Sequence, residues 1–249
     1  MILFAAFIFY QDIIGGVFVL NLSPRLKMVA NMVRQDAVVA DIGTDHGYLP
    51  AYLMLSKKVS GAIAADLRKK PLDSACATLK SYGLEKSVPL ILSNGLENIK
   101  ENSADDIVIA GMGGTLIVEI LKNCDWIYNE NKRLIIQPMS RAEEVRQFFM
   151  QSGFEILKED ATFDSGRIYI AINAVFSNKC YDDFPISYAY TGKLCGCQNA
   201  FAKEYLHKQA TRLRKRADAL YKINKSDCKA NELYTIIADI ERCVKDDNG

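Results

Sequence analysis

Residues 38–50 read VVADIGTDHGYLP, and the fold turns on this stretch. Its first five residues are an apolar run broken only by Asp41, as suits a strand buried on both faces. The chain then enters a loop holding Gly43, Asp45, His46 and Gly47, and a helix is expected from about Tyr48. Strand, glycine-bearing turn and helix in that order form the first unit of an open parallel sheet. In such sheets ligands sit beyond the carboxyl ends of the strands.

Working outward, the same alternation repeats. Ser23-Pro24 caps a helix carrying Leu26, Val29, Ala30 and Val33 on one face. Further strands are expected over residues 61–66, 88–92, 106–110 and 133–137, and helices over 71–82, 115–123 and 141–152. Two strand-like segments, 154–159 and 168–175, flank the turn Asp164-Ser165-Gly166 and close the sheet as an edge hairpin. The expected architecture is an α/β, seven-stranded doubly wound sheet with one antiparallel strand, occupying residues 21–176. Residues 177–197 show little periodicity. Beyond them Leu206, Ala210, Leu213, Ala217 and Leu220 recur at alternating four- and three-residue spacing, a coiled-coil seam. A polar turn at 224–231 leads to a second apolar stripe, so residues 177–249 read as a linker and an antiparallel helical hairpin.

The loop after the first strand discriminates among cofactors. No GxxxxGK followed by Ser or Thr occurs, so a phosphate-cradling P-loop is absent. A dinucleotide fingerprint, GxGxxG, needs glycine where this chain has Asp45, and a carboxylate there repels a pyrophosphate. S-adenosylmethionine has the opposite requirement, since it carries a sulfonium and an ammonium and no phosphate. Asp41 and Asp45 suit those cations, and Gly43 and Gly47 admit close backbone approach. Asp66, with Leu67 beside it, ends the second strand where an acid can accept ribose hydroxyls. Asn94-Gly95 follows the third strand and can reach an adenine edge, and Ala110-Gly111-Met112-Gly113-Gly114 follows the fourth. Each group alone has a structural explanation, such as a turn cap or a relieved tight bend. Their coincidence at four successive strand ends does not.

Composition narrows the rest. The chain has 249 residues, 49% hydrophobic, and a formal net charge of +1, so any polyanion-binding surface is local. Seven cysteines at irregular spacing, none in a CxxC pair, and two histidines give no zinc pattern. They are read as reduced thiols of a cytoplasmic protein, with no metal. Residues 1–20 are apolar but lack Lys and Arg, and Gln11 and Asp12 interrupt them, which argues against both a signal peptide and a membrane span. They are read as an extension ahead of the domain, with initiation near Val19 or Leu20 as one origin and no stable membrane association.

DIGTDHGYLP, GAIAADLRKKPLDSA, NGLENI, IAGMGG and LIIQP together resemble the bacterial tRNA adenine-22 N1-methyltransferases, from about Asn21 to the C-terminus. The resemblance implies a Rossmann-like methyltransferase domain, S-adenosylmethionine as donor, and adenine 22 of tRNA as target. It places Asp41, Gly43, Asp45, His46 and Gly47 in the cofactor loop, Asp66 at the ribose, and Gly95 with residues 110–113 along the cleft. Two positions depart from the family pattern: Ala65-Asp66 stands where Gly-Glu is frequent, and Asn94 where Asp is common. Adenine N1 has an in-plane lone pair, so no base is needed to make the nucleophile. Gln137 and the carbonyls of residues 110–114 are expected to hold the N6 group, with Asp45 as electrostatic support or proton acceptor.

The hairpin supplies the expected RNA face. Residues 203–222 hold seven cations against two anions, a local charge of +5. Arg212, Arg214, Lys215 and Arg216 are the expected phosphate contacts, joined by Arg25 and Lys27 near the start of the domain. Two other functions stay open at this point: a methyltransferase of a small metabolite, which has no need of a basic hairpin, and a non-catalytic RNA-binding protein.

Overall fold

The computed structural model describes residues 12–14, 17–179 and 185–245. The main sheet has seven strands: β3 (Val38–Ile42), β4 (Gly61–Asp66), β5 (Leu90–Leu92), β6 (Asp106–Gly113), β7 (Arg133–Ser140), β8 (Phe154–Asp164) and β9 (Arg167–Phe176). They lie in the order β5-β4-β3-β6-β7-β9-β8. The first five are parallel, and β9 enters antiparallel between β7 and β8. A separate two-stranded ladder, β1 (Asp12–Ile14) with β2 (Val17–Val19), stands apart from this sheet. The expectation for residues 1–11, 15 and 16 lies outside the described residues. Among the described residues no helix is long and apolar enough to cross a membrane.

Several element bounds differ from the sequence pattern, for identifiable reasons. β5 starts at Leu90 because Pro89 has no N–H to give a ladder. Helix α3 (Lys69–Ser81) begins two residues before Pro71, which is tolerated in a first turn whose N–H groups lack helical acceptors. β8 and β9 extend to a two-residue turn in which Ser165 and Gly166 both have positive φ (47° and 81°), as a type I′ hairpin requires.

Helices α1 (Pro24–Met32), α2 (Tyr48–Leu55) and α3 pack on one face of the sheet around Val29, Leu49, Leu53 and Leu79. Helices α4 (Gly114–Lys122) and α5 (Ala142–Gln151) pack on the other around Ile117, Leu121, Val145 and Phe149. Ser23 caps α1 through its Oγ, which accepts the Leu26 N–H, and Pro24 occupies the first turn. The far end of α1 is pinned by buried Asp106 at the start of β6, which accepts from Arg34 N (2.8 Å) and Arg34 Nε (2.7 Å). Fixed there at the amino edge of the sheet, α1 delivers Arg25 to the carboxyl edge.

A short helix, α6 (Tyr188–Thr191), precedes α7 (Ala200–Ile223) and α8 (Cys228–Lys245). Leu206, Ala210, Leu213 and Ala217 of α7 meet Leu233, Ile236, Ile237 and Ile240 of α8 in a cluster that also contains Ala142, Ala161 and Ile170. Partners run in opposite directions, Asp218 with Tyr234 and Arg214 with Glu241, so the two helices are antiparallel. Apolar packing thus joins the hairpin directly to the sheet. Polar contacts reinforce the joint. Fully buried Arg146 bonds Glu159 (Nε–Oε1, 2.8 Å) and donates to the carbonyls of Ala189 and Tyr190, while Glu159 Oε2 accepts the Lys193 N–H. Cys195 and Cys243 are disulfide-bonded, with Cα atoms 5.4 Å apart, which corrects the reading of all seven cysteines as free thiols. The pairing was not visible locally because the two are 48 residues apart, and only the return of α8 brings them together.

Candidate functional site

The carboxyl ends of β3, β4, β5 and β6 open on one groove. A 490 Å³ cavity is lined by Asp66, Leu67, Asn94, Gly95, Met112 and Ile120 among others. A smaller one of 160 Å³ is lined by Asp41, Thr44, His46 and Gly47. Arg25, Gly43, Asp45 and Ala110 border both, so the two are halves of a single cleft bent around the Gly43 loop. The N–H groups of Gly43 and Thr44 both donate to the Ala65 carbonyl (2.8 and 2.9 Å), fastening this loop to β4. Gly43 cannot be replaced freely: its φ is +80°, and a Cβ there would collide with the Met112 methyl.

The acids are placed differently along the cleft. Asp41 is buried, between Ala64 and Val108 of the neighbouring strands. Burial pushes its carboxyl up to about 6, with the charge of Asp66 acting in the same direction and Thr44 and Arg25 pulling back. Thr44 is itself buried, and its Oγ1 has no partner at hydrogen-bond geometry. A buried acid pushed up to about 6, facing the buried Thr44 hydroxyl, is an environment that suits a cationic ligand with hydrogen-bonding groups. Asp66 is also buried, and its Oδ1 accepts the Arg68 N–H at 2.8 Å, leaving the second oxygen for a ligand. Asn94 donates its amide to Glu97 Oε1 (2.7 Å), so its carbonyl oxygen remains the available group. Asp45 is 77% exposed at the cleft mouth, 3.4 Å from His46 Nε2, and the His46 ring stacks on Tyr48.

Other expected residues are arranged otherwise. Gln137 is fully buried; its Oε1 already accepts from Arg25 Nη1 (2.7 Å) and the Gly111 N–H (3.1 Å), and its Nε2 donates to the Pro138 carbonyl (3.1 Å). With its acceptor occupied, it cannot hold an adenine N6 group as anticipated, and it lies behind the loop it was expected to assist. Arg25, expected at the RNA face, turns inward onto Gln137; Lys27 on the same helix is exposed. On the hairpin, Arg212 pairs with Glu143 (3.0 Å) and Arg214 with Glu241 (2.6 Å), whereas Lys215 and Arg216 are exposed and form no ion pair among the described residues. Among the described residues no group of three His, Cys, Asp or Glu side chains is gathered as a metal site would need.

Sequence reasoning missed Thr44, Leu116 and Ile120. Thr44 lies inside the quoted motif and could have been found from its polarity in an otherwise committed loop. Leu116 and Ile120 give no signal, because they reach the cleft only through the packing of α4.

A methyltransferase-domain family model matches residues 22–172. The tRNA (adenine(22)-N(1))-methyltransferase of Bacillus subtilis (strain 168) is 37% identical over 170 residues, covering 68% of this chain and 71% of that protein. The crystal structure of the B. subtilis tRNA methyltransferase TrmK is similar with a TM-score of 0.78 at 30% identity, over 93% of this chain and 100% of that one. The structure of M. capricolum TrmK with S-adenosyl-homocysteine gives 0.74 at 30% identity, over 90% and 97%. On this match, which spans more than half of the chain and more than two thirds of the B. subtilis protein, the chain belongs to the tRNA (adenine(22)-N(1))-methyltransferase family.

Proposed function

We propose that this protein transfers a methyl group from S-adenosylmethionine to N1 of adenine 22 in tRNA. The observation that carries the reading is the pair of buried acids, Asp41 and Asp66, at the ends of adjacent strands over a loop that lacks a phosphate cradle. When bound, the cofactor supplies an electrophilic sulfonium methyl. Asp41 and Thr44 would hold its ammonium end, Asp66 its ribose hydroxyls, and Asn94 with Gly95 its adenine edge; His46, Gly47, Leu67, Gly111 and Met112 wall the cleft. The methyl acceptor needs no general base, since the N1 lone pair lies in the plane of the ring. The protein therefore contributes alignment, exclusion of water and negative potential from Asp41 and Asp45 that offsets the positive charge of the methylated base.

N1 lies on the Watson–Crick edge, so the target base must be unpaired or extruded, at a cost of a few kcal/mol. Contacts elsewhere on the tRNA offset this cost, and the exposed cations Lys215 and Arg216 on α7 are suited to them. A tRNA substrate places the enzyme in the cytoplasm. The test is methyl transfer from labelled S-adenosylmethionine to an unmodified tRNA with A at position 22, beside the same tRNA with G there. Label in the first only is expected. Equal label in both, or in neither while the folded protein still binds the cofactor, would overturn the assignment.

A further inference from the structure

Arg25 is an anomaly in this cleft. The methylated base is a cation, and the cofactor's sulfonium and ammonium outweigh its single carboxylate, so a guanidinium left free toward the reacting centre would disfavour the positively charged product. Its contacts explain its presence. Nη1 donates to Gln137 Oε1 (2.7 Å), the guanidinium lies 5.7 Å from the centroid of the Tyr169 ring, and the backbone N–H donates to Asp164 (3.3 Å). The Gln137 oxygen also accepts the Gly111 N–H. Gly111 is where the β6–β7 ladder slips: Ala110 pairs with Gln137 and Met112 with Pro138, leaving Gly111 without a strand partner, at φ +84°. Pro138 has no N–H with which to repair the ladder.

We infer that Arg25 is a positioning residue for the methyl-transfer step, acting through Gln137 on the loop that borders the cleft. By holding the Gln137 oxygen toward Gly111, it keeps the bulge at residues 110–113 in one shape. Without Arg25 the amide is oriented by the Gly111 N–H and the Pro138 carbonyl, both within the β6–β7 pair, so nothing outside that pair anchors the bulge and the loop loosens. The inference deepens the proposed methyl transfer and rests on it for its catalytic part.

Two readouts test it. In methyl transfer to the adenine-22 tRNA across a salt series, Arg25→Ala and Gln137→Leu are each expected to lower kcat about 100-fold, the scale of a small misplacement at a reacting centre. KM for tRNA and its salt dependence stay as in the wild type, and the double variant loses no more than either single one. Arg25→Lys, which keeps the charge but not the planar fork, falls between. A contact to RNA phosphate predicts the reverse: kcat intact, KM raised, and the salt slope reduced by about 0.7–0.9. Hydrogen exchange needs no substrate. The Gly111 amide is expected to exchange about tenfold faster in Arg25→Ala while exchange in α2 and α4 is unchanged. Unchanged exchange at Gly111, or the phosphate-contact pattern, overturns the inference. If the wild type itself transfers no methyl to tRNA, the proposed function falls, and the exchange result still decides what Arg25 holds.

Discussion

The cleft and the helical hairpin use charge in opposite ways. In the cleft two acids, Asp41 and Asp66, are removed from solvent, and burial disfavours the charged form of Asp41. On the hairpin the cations are exposed, and several are already engaged: Lys208 with Glu204, Arg212 with Glu143, Arg214 with Glu241. A buried charge near a ligand pocket is costly and specific, whereas an exposed one is cheap and screened. The cleft thus suits one small cation, and on the proposed function the exposed cations of the hairpin suit diffuse contact with a polyanion. A local charge of +5 overstates the free cationic surface, because part of it is structural.

The joint between the two regions gives the largest expected effect. Arg146→Met leaves Glu159 buried without its cation and is expected to cost about 3–5 kcal/mol of stability, read from the denaturant midpoint. Replacing both residues by apolar ones should recover most of that loss. If the single variant is neutral, the hairpin is held by apolar packing alone.

Within the cleft, Asp41→Asn is expected to weaken S-adenosylmethionine binding at least about 100-fold, or about 2.7 kcal/mol, by calorimetry. The same change should raise the stability of the ligand-free protein, since the ionised carboxylate is disfavoured there. Cofactor affinity retained within a few-fold would remove Asp41 from the site.

The pH dependence follows from the same group. The Asp41 carboxyl rises from 3.8 to about 6 on folding, so in that window the folded state binds the extra proton. Its contribution to stability therefore falls as pH rises from about 4 to 6, and is regained on acidification. A bound cation favours the ionised form, so cofactor affinity should drop toward tenfold per pH unit below about 6. A flat affinity between pH 5 and 7 would show that another acid carries the ammonium.

The smaller effects lie on the hairpin. Lys215→Glu with Arg216→Glu should raise KM for tRNA and flatten the salt slope by about 1.4–1.8, leaving cofactor affinity unchanged. Arg212→Ala, which removes a half-exposed ion pair with Glu143, should change stability by no more than about 1 kcal/mol. A larger loss would make that pair part of the joint and not of the RNA face.

The order of strands and helices, the site at the carboxyl ends and the seam of the hairpin were all legible in the sequence. These depend on local periodicity and on what a strand end exposes, both written within a dozen residues. Asp41 and Asp66 stood out because they terminate apolar runs. The roles of individual polar groups were not legible. Gln137 ends the expected strand 133–137 as a cleft residue would, yet its amide is occupied by Arg25, 112 residues earlier. Arg212 and Arg214 look alike in sequence, but their acids lie 69 and 27 residues away on different helices. The Cys195–Cys243 bond likewise exists only because α8 returns to the turn before α7. Sequence alone determined the fold class and the chemistry of the cofactor end, because backbone pattern and residue type act locally. Tertiary structure decided which side chains remain free to act, because a hydrogen bond or ion pair between distant residues forms only once the chain has closed on itself.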